Sequence, residues 1–210
     1  MSVEPAGVGD RVALDFTRLL ADGEGCLIGS SAKRLCLVLG ETAQSGFVPP
    51  RPFRVNAGPV HQYVLMADGR TTKYLEEVRA GDEVLVVRAS DGAARACVVG
   101  RCKIEPRPML MLRVQAAPVQ LAAGKQDDLD MDVAEEATAC VFLQQAETVA
   151  LASIDCSLDD LDADASNMGG AGGTRRLPVT QARPGDKLLV RCHELGTHVG
   201  QAIRARVEER

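Results

Sequence analysis

The sequence predicts a mainly β protein, α+β at most, in which repeated turn-plus-hairpin units form one or two small barrels. Three observations carry this expectation. Short apolar runs are punctuated by Gly/Asp turn signals, at A67-D-G-R, G81-D, S90-D-G-A and G185-D, the usual marks of hairpins. The stretch R79-A-G-D-E-V-L-V-V recurs as R183-P-G-D-K-L-L-V-R at a constant offset of 104 residues. A weaker third copy, G23-E-G-C-L-I, again feeds an apolar strand from a Gly/acid turn. Copies of one supersecondary unit bury their apolar faces by packing on each other around a shared core.

In chain order, residues 1–10 hold Pro5, Gly7 and Gly9 and read as a linker or loop. Val12–Leu14 is a short strand, and Asp15 caps one helical turn through Leu20. Cys26–Ile28 and Leu35–Leu39 make a hairpin around S30-S-A-K. Residues 47–59 form a loop, 60–66 a strand, and 74–78 a short helical or irregular step. Further strands follow at 84–88, 96–99, 109–114, 140–143, 148–151 and 188–190, with a charged closing strand after Gly200. This divides the chain into a first β portion, 1–115, an acidic insertion, 116–139, and a second β portion, 140–210. The second portion carries a flexible Gly/Asp-rich insertion at 155–173.

Composition narrows the function. A chain of 210 residues can bury one good core or two small ones. No apolar run reaches the roughly 18 residues that a membrane span needs, and the first twenty residues carry Glu4, Asp10, Arg11 and Asp15. We therefore expect no membrane association, no signal or transit peptide, and a cytoplasmic protein. The seven cysteines include no C-x-x-C pair and mostly sit in apolar runs, where cysteine acts as a small hydrophobe in a reducing compartment. The net charge of −5 hides a basic body: eleven of the 29 acids lie in residues 127–136 and 155–164, and the remaining 18 face 24 Lys and Arg. With no Trp and 3% aromatics, base stacking has little material, so a small anion suits this basic body better than nucleic acid.

Residues 51–65, R51-P-F-R-V-N-A-G-P-V-H-Q-Y-V-L, gather the polar groups most suited to a site. Gly58-Pro59 fixes a turn, and alternation beyond it places His61, Tyr63 and Leu65 on one strand face. Several other motifs fail. D160-x-D162-x-D164 has Ala165 and Ala171 where a calcium loop needs Gly and Glu. G169-G-A-G-G-T-R-R lacks the lysine and spacing of a phosphate loop, and no G-x-G-x-x-G follows a strand. Cys192, His193 and His198 fit no zinc spacing, so no metal is expected.

Seven blocks resemble the archaeal-type, NAD-dependent 3-dehydroquinate synthase (type II), in its C-terminal part. They are P5-A-G-V-G-D-R-V, D22-G-E-G-C-L-I-G-S, R51-P-F-R-V-N-A-G-P-V-H-Q-Y-V, K73-Y-L-E-E-V-R-A-G-D-E-V-L-V-V, V99-G-R-C-K-I-E-P-R-P, L143-Q-Q-A-E-T and H198-V-G. The resemblance spans nearly the whole chain outside the two acidic tracts. Leu39-Gly40 stand where the family has His-Ser, and Gln144-Gln145 where it has Gln-Asn. The resemblance implies oxidative deamination of an amino-bearing seven-carbon sugar acid by NAD, then cyclisation to 3-dehydroquinate in aromatic amino-acid synthesis. It also implies an N-terminal portion, supplied by a longer polypeptide or a partner chain, that holds most of the NAD site, and it leaves room for a homo-oligomer. For such a substrate Arg51 and Arg54 suit the carboxylate, with Asn56 and Tyr63 completing the binding set. His61 is the candidate base, and Lys73 or Lys103 would stabilise developing negative charge. A second reading is a non-catalytic β-barrel module that binds small anions or assists assembly.

Overall fold

A computed structural model gives the fold and describes residues 1–44, 48–115, 138–154, 173–193, 196–198 and 201–203. The described residues are nearly all strand: β1 (Ser2–Phe16), β2 (Glu24–Ser31), β3 (Arg34–Glu41), β4 (Arg51–Pro59), β5 (Tyr63–Leu65), β6 (Thr72–Tyr74), β7 (Glu83–Arg88), β8 (Ala94–Gln115), β9 (Thr138–Gln144), β10 (Ala150–Ile154), β11 (Thr174–Pro178), β12 (Val190–Cys192), β13 (Gly196–His198) and β14 (Gln201–Ile203). None of the described helices is long and apolar enough to cross a membrane.

Six strands close a ring, in the order β1, β4, β3, β2, β7, β8 and back to β1. The ring is uneven. β1 and β8 pair from Ser2↔Arg113 to Phe16↔Val99, whereas β3 meets β4 at Gly40↔Val55 and Glu41↔Arg51. β9 continues the sheet beside the second half of β8, from Met109↔Gln144 to Gln115↔Thr138.

The apolar runs of β2 and β3 are continuous rather than alternating because both of their faces are covered. Cys26, Ile28, Cys36 and Val38 point into the main core with Val12, Leu14, Val55 and Val84. Their neighbours Leu27, Leu35, Leu37 and Leu39 pack into a second core with Leu65 and Ala152. Each such side chain contributes about 1.5–3 kcal/mol when fully buried, so the two-sided hairpin anchors the fold. Cys26, Cys36 and Cys97 are buried and free, and Cys140 is buried as well. Burial pushes the Cys36 thiol up to about 12, which leaves it an inert hydrophobe.

The repeat is real in three dimensions. Short 3-10 turns at Leu75–Glu77 and Val179–Gln181 precede the two Gly-Asp motifs. Gly81 and Gly185 adopt φ of 95° and 100°, open to glycine but strained for other residues. Asp82 accepts the Arg79 N–H at 2.8 Å, and Asp186 accepts the Arg183 N–H at 2.8 Å. The bridges Met66↔Val84 and Ser153↔Leu188 match as well. One unit (β5, β6, turn, β7) pairs with β2, and the other (β10, β11, turn, β12) pairs with β3.

Several local expectations are corrected. Residues 2–10 are not a linker: pairing to β8 draws them into β1, with an irregularity between Pro5 and Val8 that absorbs the proline. Asp15 caps no helix; it lies inside β1 with its side chain on arginines. Residues 51–59 are a strand, not a loop. Residues 60–62 are a turn, closed by Gln62 N–H to Pro59 O at 3.1 Å, so the next strand starts at Tyr63. The runs at 96–99 and 109–114 belong to the single strand β8. Most of the two expected insertions lies outside the described residues, although Thr138 and Ala139 already belong to β9.

Candidate functional site

β1, β3, β4, β8 and β9 bring their polar residues together around one cavity of about 170 Å³. A single water needs only ~10–15 Å³ of such space, so the cavity has room for a small solute. Its lining holds five cationic side chains, Arg11, Arg51, Arg54, Lys103 and Arg107, against two carboxylates, Glu41 and Glu105. Asn56, Gln144 and Thr148 complete it. Alternation along β8 delivers Lys103, Glu105 and Arg107 to the same face, and pairing of Arg11 with Glu105 in register brings β1 to it.

Glu105 organises one wall. It accepts from Arg11 Nη2 at 2.7 Å, Lys103 Nζ at 2.9 Å and Arg107 Nη2 at 3.1 Å. Hydrogen bonding from Lys103 and the surrounding cations hold its carboxyl below the usual carboxylate range. Burial pulls the Arg11 guanidinium down against the pull of Glu105. On the opposite wall Arg51 Nε lies 2.5 Å from the buried Glu41 carboxylate, which also accepts from Thr148 Oγ1 at 3.3 Å.

Arg54 is differently placed. Its guanidinium grips Asp15 in a two-bond fork, and Arg101 reaches the same carboxylate at 2.5 Å. The hydrogen bond to Asp15 raises the Arg54 pKa further. Arg54 therefore lines the cavity while its fork is committed to the ring wall. Asn56 donates Nδ2 to Gln144 Oε1 at 2.8 Å, and its Oδ1 has no hydrogen-bond partner among the described residues.

Of the residues singled out in the sequence, the cavity collects Arg51, Arg54, Asn56 and Lys103. His61, Tyr63 and Lys73 lie outside its lining. His61 is exposed on the turn and meets the Phe142 ring edge-on at 5.2 Å. Tyr63 stacks on Tyr74 at 4.4 Å with their hydroxyls 2.7 Å apart. Lys73 pairs with the turn residue Asp82 at 2.8 Å, as Arg175 pairs with Asp186 at 3.2 Å in the second repeat unit. That equivalence gives Lys73 a structural partner.

Sequence reasoning overlooked Arg11, Glu41, Glu105, Arg107, Gln144 and Thr148, and also Gln62. Gln62 is fully buried beneath the site, donating to Ala57 O and Phe142 O and accepting from the Phe142 N–H. A signal for most of them was present: all but Glu41 sit within the blocks quoted for the family resemblance.

Neither the described helical segments nor this cavity fits a dinucleotide. The segments are two three-residue 3-10 turns, which offer no helix N-terminus to a pyrophosphate. The wholly polar cavity lining also offers no apolar slot for an adenine ring.

Residues 1–210 match the family described as 3-dehydroquinate synthase II C-terminal domain. The 3-dehydroquinate synthase of Methanocaldococcus jannaschii is 39% identical over 208 residues, covering 99% of this chain and 47% of that protein. Its counterpart in Halobacterium salinarum is 42% identical over 208 residues, covering 99% and 44%, and that of Methanoregula boonei 37% over 210 residues, covering 99% and 52%. The chain thus spans about half the length of these relatives. No solved structure matches it. The match along its whole length shows that the chain belongs to the 3-dehydroquinate synthase II C-terminal domain family.

Proposed function

We propose that this chain is the substrate-anchoring portion of a 3-dehydroquinate synthase and that the cationic cavity holds the acidic end of its sugar-acid substrate. One observation carries the reading. Four of the sequence blocks that resemble the family, those containing Arg11, Arg51, Lys103 and Thr148, come from distant parts of the chain and converge on this cavity.

The chemistry of the lining fits binding. Arginine N–H groups match a carboxylate in geometry and charge, and cations fixed in strands need little reorganisation when charge arrives. Among the described residues, the lining has no histidine, cysteine or tyrosine. In this reading the cavity binds and orients, while proton transfer falls to a group outside it, His61 or a residue of the remaining half of the enzyme. NAD, as the oxidant of the deamination step, would be held largely by that half, an N-terminal portion or a partner chain. The enzyme would act in the cytoplasm at an entry to aromatic amino-acid synthesis.

The test joins this chain to the N-terminal half of the Methanocaldococcus jannaschii relative and supplies the amino seven-carbon sugar acid with NAD. Formation of 3-dehydroquinate supports the reading. Absence of product, where the relative's own two halves succeed when mixed, overturns it in favour of the non-catalytic module.

A further inference from the structure

The cavity lining carries buried polar atoms of both kinds that make no hydrogen bond among the described residues. Arg11 Nε and Arg51 Nε are donors, and Glu41 Oε2 and Asn56 Oδ1 are acceptors. Arg51 Nε and Glu41 Oε2 lie 2.5 Å apart as an ion pair, but without hydrogen-bond alignment. A buried polar group left unmatched is costly, and in a native structure it calls for a reason. Unmatched donors and acceptors around one cavity call for a ligand that brings both.

The charges decide which groups go where. On one wall three cations, Arg11, Lys103 and Arg107, share the single carboxylate of Glu105, an excess that attracts an anion. On the other wall Arg51 and Glu41 stand one to one, and Arg54 is committed to Asp15. Glu41 is 3% exposed, and its Oε1 takes a long bond from Thr148 at 3.3 Å. It is thus the lining carboxylate with spare accepting capacity, whereas Glu105 already serves three cations. A buried carboxylate gains most from a charged donor; a hydroxyl brings it no charge. Arg11 feels the charge of Glu41 as well as that of Glu105, so both walls act on one small ligand. We infer that Glu41 holds the ammonium of an α-amino acid whose carboxylate lies against Arg11, Lys103 and Arg107, with Asn56 Oδ1 as a further acceptor for the ammonium. This deepens the proposed function and rests on it: the carbon deaminated in that reaction is the one bearing the carboxylate, so both groups enter the cavity together. With two of its substituents held by the lining, that carbon keeps its hydrogen open to an oxidant carried by the other half of the enzyme.

The experiment titrates the 210-residue chain with hexanoate, 2-hydroxyhexanoate and each enantiomer of norleucine, reading dissociation constants from amide chemical shifts. These ligands share one chain length and differ at the carbon beside the carboxylate. Wild type binds one enantiomer of norleucine at least about tenfold tighter than hexanoate or 2-hydroxyhexanoate, as one charged hydrogen bond allows. Glu41→Gln weakens that enantiomer by about tenfold or more and leaves hexanoate equally tight or tighter, because a negative charge has left the lining. A merely loosened fold would weaken both ligands. Should Glu41→Gln fail to fold, Glu41→Asp, which draws the carboxylate back by one methylene, lowers the norleucine preference in the same direction. Equal binding of hexanoate and norleucine by wild type overturns the inference while leaving the anion site intact, as does a norleucine preference that survives both substitutions. Tightest binding of 2-hydroxyhexanoate overturns it in favour of a hydroxyl. If none of the ligands perturbs cavity residues, the anion site itself fails, and the inference with it.

Discussion

Arg54 holds Asp15 through two parallel bonds, Nε to Oδ1 at 2.6 Å and Nη2 to Oδ2 at 2.8 Å, with both side chains buried in the ring wall. This makes Arg54 first a structural residue. Removing one partner of a buried ion pair strands the other charge and costs about 3–5 kcal/mol. Arg54→Ala is therefore expected to shift the urea midpoint by a corresponding amount, before any effect on ligand affinity. A variant as stable as wild type would mean that Arg101, 2.5 Å from the same carboxylate, suffices to hold Asp15.

The same pair sets the response to acid. Burial alone would raise the Asp15 carboxyl, but hydrogen bonds and charge from Arg54 and Arg101 hold it below its usual range. Asp82 is held low in the same way by Lys73 and the Arg79 N–H. A carboxyl depressed in the folded state stabilises the fold above its unfolded pKa, about 3.9 for Asp. That stability is lost as pH falls toward the lower folded value. Urea midpoints should be nearly level from pH 7 to pH 5 and fall steeply below about pH 4. A midpoint that rises on acidification would contradict the assignment.

Gly58 is the backbone hinge of the site. Its φ is 91°, and an added Cβ would stand 2.1 Å from Phe142 O and 2.3 Å from Gln62 Nε2. Gly58→Ala adds backbone strain to a clash with the β4–β9 junction, so a loss of at least about 3 kcal/mol is expected. Thermal melting checks this; a shift under 2 °C would show that β9 moves aside at little cost.

Strand content, the β2–β3 hairpin and the repeat were legible in the sequence because they depend on short-range signals: apolar runs, Asp-Gly turns and a constant offset. The early strand and the length of β8 were not. Pro5, Gly7, Pro106 and Pro108 read locally as breakers, and only cross-strand pairing between Val8 and Pro108, with its neighbours, overrides them. The site was half legible for the same reason. Arg51, Arg54 and Asn56 are close in sequence and stood out, whereas Arg11, Glu105 and Gln144 meet them only when the ring closes. His61 shared the polar stretch, but the turn at residues 60–62, just after β4, carries it out of the cavity lining.

For the dinucleotide, isothermal calorimetry of the chain alone should show NAD binding that is weak or absent. A micromolar or tighter constant would place the nucleotide site in this β portion and shift the division of labour proposed for the two halves of the enzyme.

The most direct test of the anion site is the dissociation constant for gluconate in the double variant Lys103→Ala/Arg107→Ala. Both side chains are over a third exposed, at 43% and 39%, and Glu105 retains Arg11 without them. Their removal should leave the melting temperature within a few degrees, as expected for exposed ion pairs. Losing two charge-assisted donors should raise the gluconate constant by about tenfold or more. An unchanged constant, with the fold intact, would show that the acidic ligand binds elsewhere and would remove the basis for the proposed role of the cavity.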